Sequence, residues 1–283
     1  MSQISLFEQY PIHLPLRSGG ATVSARIAKS ILTPATGFIS AFDYSLNPYS
    51  GCQFGCAYCY AAFFVPNVRK ADEWGRWVDV KVNALELLQK ARNVRGKTIY
   101  VGSVTDPYQP IEAKTHLTRS LLQHMSRLQP QPRLVIQTRS PLITRDADVL
   151  RRFRHLRAGV SVTTDSESVR KRFEPSCPSI DQRLRTLKAL KEAGIRTSAC
   201  ISPMLPILNP AGFADRLREV RADVYVTQPF KESRGPFAAG TRRMALELVK
   251  EFDWGPDKRR KTVDILRSRL PHLYEGSSGY RPE

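Results

Sequence analysis

The chain has 283 residues, 41% of them hydrophobic and 25% charged, a balance that excludes a largely disordered chain, a collagen-like repeat and a disulfide miniprotein. No apolar run approaches the roughly 18 residues of a membrane span, and residues 1–15 lack a basic start followed by an apolar core, so the cytoplasm is expected and no membrane partner. Forty-four Lys and Arg against 26 Asp and Glu give +18; such a field draws polyanions, which makes nucleic acid the expected partner and solubility the plainer use of the charge.

Residues 1–37 show little periodicity and contain Pro11, Pro15, Gly19, Gly20 and Pro34; they are read as an irregular N-terminal arm. From 38 to 230, short β-branched or aromatic runs alternate with amphipathic ones. Strands are expected at 39–46, 98–104, 133–138, 158–163, 196–202 and 223–227, with helices at 83–93, 115–128, 147–155, 166–173, 180–193 and 213–220. Asp181 is read as opening the helix that carries Leu184, Leu187 and Leu190, and Gly194 as its left-handed C-cap. Residues 231–283 are read as a helical C-terminal appendage, with helices at 241–252 and 258–270 parted by Trp254-Gly255-Pro256 and a mobile end from 276 to 283. The run Lys258-Arg259-Arg260-Lys261 suits either phosphate contact or a solvated helix face.

Six strands alternating with helices imply parallel βαβ units with right-handed crossovers. Six are too few for a closed eight-stranded barrel, so the expected fold is α/β, an open or partial barrel. Ligands of such folds sit at the carboxyl ends of the strands.

Directly after the first expected strand the sequence reads Asn47-Pro48-Tyr49-Ser50-Gly51-Cys52-Gln53-Phe54-Gly55-Cys56-Ala57-Tyr58-Cys59-Tyr60. Three of the five cysteines fall here, in Cys-x3-Cys-x2-Cys spacing, while Cys177 and Cys200 stand alone. An odd count without a secretory signal argues against a disulfide framework. Gly51, Gly55 and Pro48 favour a loop that wraps thiolates around a central object. Thiolates are soft donors that suit an iron–sulfur cluster or zinc, and three ligands on a cubane leave one iron open. A zinc site wants a fourth ligand, which His116 or His124 would have to supply without ligand spacing.

With Tyr58 immediately before the third cysteine, this loop resembles the signature of the radical S-adenosylmethionine (SAM) superfamily. The wider chain resembles the branch related to spore photoproduct lyase. The similar stretches are Asn47-Pro48-Tyr49-x-Gly51-Cys52, Val78-Asp79-Val80-Lys81-Val82-Asn83, Thr105-Asp106-Pro107-Tyr108-Gln109-Pro110-Ile111-Glu112, Thr138-Arg139-Ser140 and Glu174-Pro175-x3-Ser179. Together they span about 40 to 230. The resemblance implies a partial six-stranded (β/α)6 radical SAM barrel. It implies that Cys52, Cys56 and Cys59 hold a [4Fe–4S] cluster whose fourth iron binds SAM. A reducing partner such as flavodoxin or ferredoxin would then supply the electron that releases a 5′-deoxyadenosyl radical.

By position in the family, Ser103 and Asp106 contact the cofactor, Ser161 its ribose, and Tyr58 lies near the adenine. Arg139 stands where the lyases carry a lysine that pairs with the SAM carboxylate, and arginine serves there bidentately. Tyr58 and Tyr60 flank the third cysteine as a radical relay. The lyases' hydrogen-donating cysteine falls on Ser103, whose O–H bond is too strong for that step, which puts authentic spore photoproduct repair in doubt. Cys200 is a substitute donor if it faces the barrel interior; Cys177, in its loop between Pro175 and Pro178, is an equal alternative. The expected function is radical SAM chemistry on nucleic acid, as base repair or modification. Alternatives are the same chemistry on a peptide or small metabolite, and a non-enzymatic zinc or iron–sulfur protein that binds nucleic acid.

Overall fold

The computed structural model describes residues 14–65, 67–229 and 240–282. Its strands are β1 (Arg17–Ser18), β2 (Ala21–Arg26), β3 (Leu32–Pro34), β4 (Tyr44–Leu46), β5 (Tyr49–Ser50), β6 (Trp77–Lys81), β7 (Thr98–Val101), β8 (Arg133–Thr138), β9 (Leu156–Ser161), β10 (Arg196–Ile201), β11 (Val224–Thr227) and β12 (Leu273–Glu275). Eight of them form the main sheet, in the order β12-β11-β10-β9-β8-β7-β4-β3. Every neighbouring pair from β4 to β12 is parallel; only β3 runs the other way. The six expected strands are therefore all present, β4 shortened to its last three residues. The sheet ends in two edges, so the barrel is partial.

Side chains alternate across this sheet as the pleat demands. Leu134 and Ile136 of β8 join the main core beneath the helices, whereas Val135 between them faces the inside. Tyr100, Cys200, Val224 and Val226 share that inner side. The helix Ile180–Glu192 shows how the outer layer is set: Leu184, Leu187 and Leu190 are buried, and Gly194 takes φ +73 just past the end. Its cap is Ser179 rather than Asp181, with Ser179 and Gln182 closing a reciprocal capping box while Asp181 sits in the first turn.

Residues 17–34 and 273–282 are more ordered than their sequences suggest. Residues 17–34 are not irregular: β2 pairs with β6 in a four-stranded sheet, β1-β2-β6-β5, and buries Ala21 and Val23 between exposed polar neighbours. That alternation spans too few residues to stand out among the surrounding prolines and glycines. At the other end the helices Arg243–Glu251 and Pro256–Arg269 form as expected. Residues 273–275 then add β12 to the main sheet. The last turn is docked, which corrects its reading as a mobile end. Tyr280 is buried against Phe38 and Tyr100, and Arg157 donates to the carbonyls of Gly279 and Arg281 at 2.9 and 3.1 Å. The expected boundary between barrel and appendage, at 230–231, lies outside the described residues. Among the described residues no helix is long and apolar enough to cross a membrane.

Candidate active site

β4 delivers the chain to Asn47 at the carboxyl edge of the sheet, and β5 turns it back along β6 before the cysteines. Two glycines allow the course that follows. Gly51 has φ +79, and a Cβ there would lie 2.7 Å from the Trp77 carbonyl; Gly55 has φ +56 and packs on Gly75. The loop is braced from the stretch after β7. Thr105 Oγ1 donates to the Gly51 carbonyl at 2.5 Å, Gln109 Oε1 accepts from Gln53 N at 2.8 Å, and Ile111 N donates to Gln53 Oε1 at 2.7 Å. The Asp-Pro-Tyr-Gln-Pro-Ile-Glu stretch is thus largely the scaffold of the cysteine loop.

Cys52 and Cys56 are buried and Cys59 is partly exposed. Burial, together with the charges of Asp106, Cys56 and Cys59, pushes the Cys52 thiol well up. Burial and Cys56 push Cys59 up to about 12. Cys56 moves the other way: a hydrogen bond with Cys177, 3.6 Å between sulfurs, and the Arg139 guanidinium, 3.0 Å away, outweigh burial and lower it. Among the described residues, no three His, Cys, Asp or Glu side chains close round one point as ligands of a single ion. A zinc ion draws its thiolates to about 2.3 Å from one centre, whereas a cluster distributes them over several irons. Three soft donors on one braced loop are a donor set that fits the cluster.

Beside Cys56 lies a buried ionic network. Glu174, fully buried, pairs with Arg183 at 2.5 Å and Arg139 at 3.0 Å, and accepts hydrogen bonds from Thr163 Oγ1 at 2.9 Å and from the Tyr58 hydroxyl. Burial opposes its charge, but Arg183, Arg139 and Tyr58 together hold it down to about 2. Arg139 Nη1 in turn bonds Cys56 Sγ, Tyr58 Oη and Glu174. The network fixes a guanidinium next to a cluster thiol at the end of β8.

The other expected site residues fall on the same rim with different partners. Asp106 is buried and saturated by Tyr108 N, Thr138 Oγ1 and Arg139 N, at 2.9, 2.6 and 2.9 Å. Burial raises its pKa against these bonds. The Ser103 hydroxyl meets the Asn47 amide at 3.0 Å, and its carbonyl accepts from Tyr60, which is otherwise half-exposed at the mouth. Ser161 accepts from Gln137 Nε2 at 2.9 Å inside the wall. Cys200 faces the interior, fully buried, with Gln137 Oε1 at 3.3 Å. The structure therefore joins Cys56, Tyr58, Asp106 and Arg139 into one group and leaves Ser161 and Cys200 deeper in the barrel. It adds Glu174, Arg183, Thr163 and Cys177. Glu174-Pro175 carried a signal within the family resemblance; Arg183 gave none, since an arginine on an amphipathic helix reads as solvated.

The sequence of residues 46–220, more than half of the chain, matches the radical SAM superfamily. An uncharacterized protein of Methanocaldococcus jannaschii is 38% identical over 181 residues, covering 64% of this chain and 67% of that protein. A protein of Pseudomonas phage M6 named as a radical SAM Nalpha-GlyT isomerase is 26% identical, over 78% of this chain and 45% of its own length. Spore photoproduct lyase shares the fold, with a TM-score of 0.62 at 16% identity over 91% of this chain and 82% of that one. With the cysteine loop, its brace and the family match in agreement, the chain belongs to the radical SAM superfamily and is an enzyme of that type built on the spore photoproduct lyase fold.

Proposed function

We propose that this enzyme directs radical SAM chemistry at nucleic acid, repairing or modifying a base. The observation that carries the chemistry is the Arg139 guanidinium, anchored by Glu174 beside Cys56. Cys52, Cys56 and Cys59 would hold the [4Fe–4S] cluster, which, with SAM and an electron from a flavodoxin or ferredoxin, would supply 5′-deoxyadenosyl radical chemistry. Arg139 uses Nη1 for its protein partners and offers Nη2 to the SAM carboxylate. Asp106 orients Arg139 through its backbone N–H, so its part is to position. Tyr58 and Tyr60 border the radical's path, and Cys200, the thiol of the inner wall, is the hydrogen-atom source that Ser103 is not.

Two facts support nucleic acid as the target. The chain carries +18, a field that concentrates polyanions at its surface. The fold is shared with spore photoproduct lyase, a structure of which holds AdoMet and dinucleoside spore photoproduct together. A base treated in this way must leave its stack to reach the barrel mouth.

The test is anaerobic reconstitution with iron and sulfide, reduction with SAM, and assay for 5′-deoxyadenosine, with Cys56→Ala alongside. Product in the native protein and none in the variant is expected. Zinc in place of a cluster would sink the reading. Binding to single-stranded and duplex oligonucleotides over a salt series tests the substrate class. A steep loss of affinity with salt is expected, and salt-independent or absent binding rejects it. Cys200→Ala is expected to leave 5′-deoxyadenosine formation intact while diverting the substrate radical to other products.

A further inference from the structure

Cys177 stands out because neither the cluster nor the ionic network uses it. It lies in the turn between Pro175 and Pro178, with its N–H donating to the Glu174 carbonyl at 3.1 Å. Its sulfur is buried, 3.6 Å from Cys56 Sγ and 3.9 Å from the Phe54 carbonyl. Two elements far apart in sequence thus bring an extra thiol into contact with a thiol of the cluster loop. A disulfide needs about 2.0 Å between sulfurs, so closing this gap takes a shift of side chains rather than of elements.

We infer that Cys56 and Cys177 form a reversible disulfide in the protein without its cluster, and that this bond blocks cluster assembly until it is reduced. The consequence for assembly rests on the cluster reading; the bond itself does not. Its formation requires an oxidant, and a small disulfide such as oxidised glutathione suffices. One protein thiol displaces one glutathione to give a mixed disulfide, and the second protein sulfur then displaces the other. Two protein thiols and one glutathione disulfide become one protein disulfide and two glutathione thiols. Two electrons and two hydrogens pass from protein to glutathione. Of the five cysteines only Cys59 is partly exposed, which makes it the entry from which the mixed disulfide is handed inward. With Cys56 tied to Cys177, one of three cluster ligands is withdrawn and the loop is pinned against the turn after Glu174. The arrangement protects the unloaded thiols from the irreversible oxidation that overtakes isolated sulfenic acids.

The experiment uses the full chain stripped of iron by chelation under anaerobic conditions, then treated with oxidised glutathione and digested without reduction. Mass spectrometry is expected to find peptides bearing Cys56 and Cys177 joined and lighter by two hydrogens. The oxidised protein is expected to lose iron uptake on reconstitution and to regain it after dithiothreitol. Cys177→Ala, oxidised in parallel, should keep more of its iron uptake than the native chain. Cys56 found joined to Cys52 or Cys59, or five free thiols after treatment, overturns the inference, and so does equal loss of uptake in Cys177→Ala. Because the peptide map is made on the native chain, a poorly folding variant does not decide the outcome. Iron uptake by the fully reduced native chain judges the cluster reading separately.

Discussion

Two buried carboxylates anchor this molecule, and they are built alike. Glu174 gathers Tyr58, Thr163, Arg139 and Arg183; Glu112 gathers Tyr49 and Arg145, with Thr118 N at 2.8 Å. Both side chains are fully buried. The difference lies in what else their cations hold. Arg145 turns from Glu112 to Asp146, 2.7 Å away, and Arg119 links Asp146 onward to Asp148. Every charge there is answered by another of the scaffold. Arg139 turns from Glu174 to Cys56 and the mouth of the barrel. One network holds the brace behind the cysteine loop, and the other holds a cation against that loop's Cys56. A buried ion pair is weak evidence of stability in itself; the direction in which its spare charge points separates a fold support from a functional anchor.

The largest effect expected is that of Glu174→Gln. It strands two buried guanidinium groups, and breaking such a pair costs about 3–5 kcal/mol, to be read from urea unfolding. Activity should fall as well, because Arg139 loses its anchor. The native protein gives the pH signature. A carboxylate held near 2 when folded and at its ordinary 4.5 when unfolded adds stability that is complete above 4.5 and lost as pH falls toward 2. Acid unfolding of Glu174→Gln should lack that share of the slope. Glu112→Gln should cost less, about 1–3 kcal/mol, because Arg145 keeps Asp146 and the amide oxygen still accepts from Thr118 N. At a temperature where it stays folded, 5′-deoxyadenosine formation per molecule should match the native rate. A collapse of that rate would erase the contrast between the networks.

How much of this was legible beforehand follows from the range of each interaction. The six parallel strands and the cysteine loop were readable because period-two runs and a short ligand spacing are local; Arg139 was marked only by the resemblance to the lyases. β12 and the buried Tyr280 were not, since three residues of strand are too short a signal and the docked turn depends on Phe38, Tyr100 and Arg157, each more than 100 residues away. The same holds at the site. Nothing near Arg183 marks it as buried, for its partner Glu174 is brought to it by the packing of one helix onto the next turn of chain. Cys177 looked remote from the cluster loop until the fold placed it against Cys56. Ser179 rather than Asp181 is the cap because its hydroxyl and Gln182 satisfy each other's backbone N–H, two residues upstream of the acid.

A smaller effect sharpens the functional side. Arg139→Lys retains a charge but gives up the planar fork that meets Cys56, Tyr58 and Glu174 at one edge and, on the proposed function, the SAM carboxylate at another. SAM binding about tenfold weaker, equivalent to about 1.4 kcal/mol, is expected from the KM for SAM, with unfolding stability close to native. Unchanged KM would mean that the guanidinium serves Glu174 alone and that the two networks are equivalent after all.

The smallest effect is the one that decides Ser103. Its hydroxyl bonds the Asn47 side chain, and Asn47 Oδ1 also accepts from Val104 N at 3.0 Å. Ser103→Ala therefore removes one hydrogen bond and leaves its neighbour in place, a loss of about 0.5–1.5 kcal/mol. If the serine only ties the end of β7 to the start of the cysteine loop, the melting temperature falls slightly while the KM for SAM stays where it was. If it also touches the cofactor, KM rises as well. Asn47→Ala separates the two roles: it cuts the same tie from the other side and leaves the Ser103 hydroxyl in place. A KM that rises in Ser103→Ala and not in Asn47→Ala would put Ser103 with Arg139 on the ligand side of the rim; equal behaviour would put it with Gln109 and Thr105 in the brace.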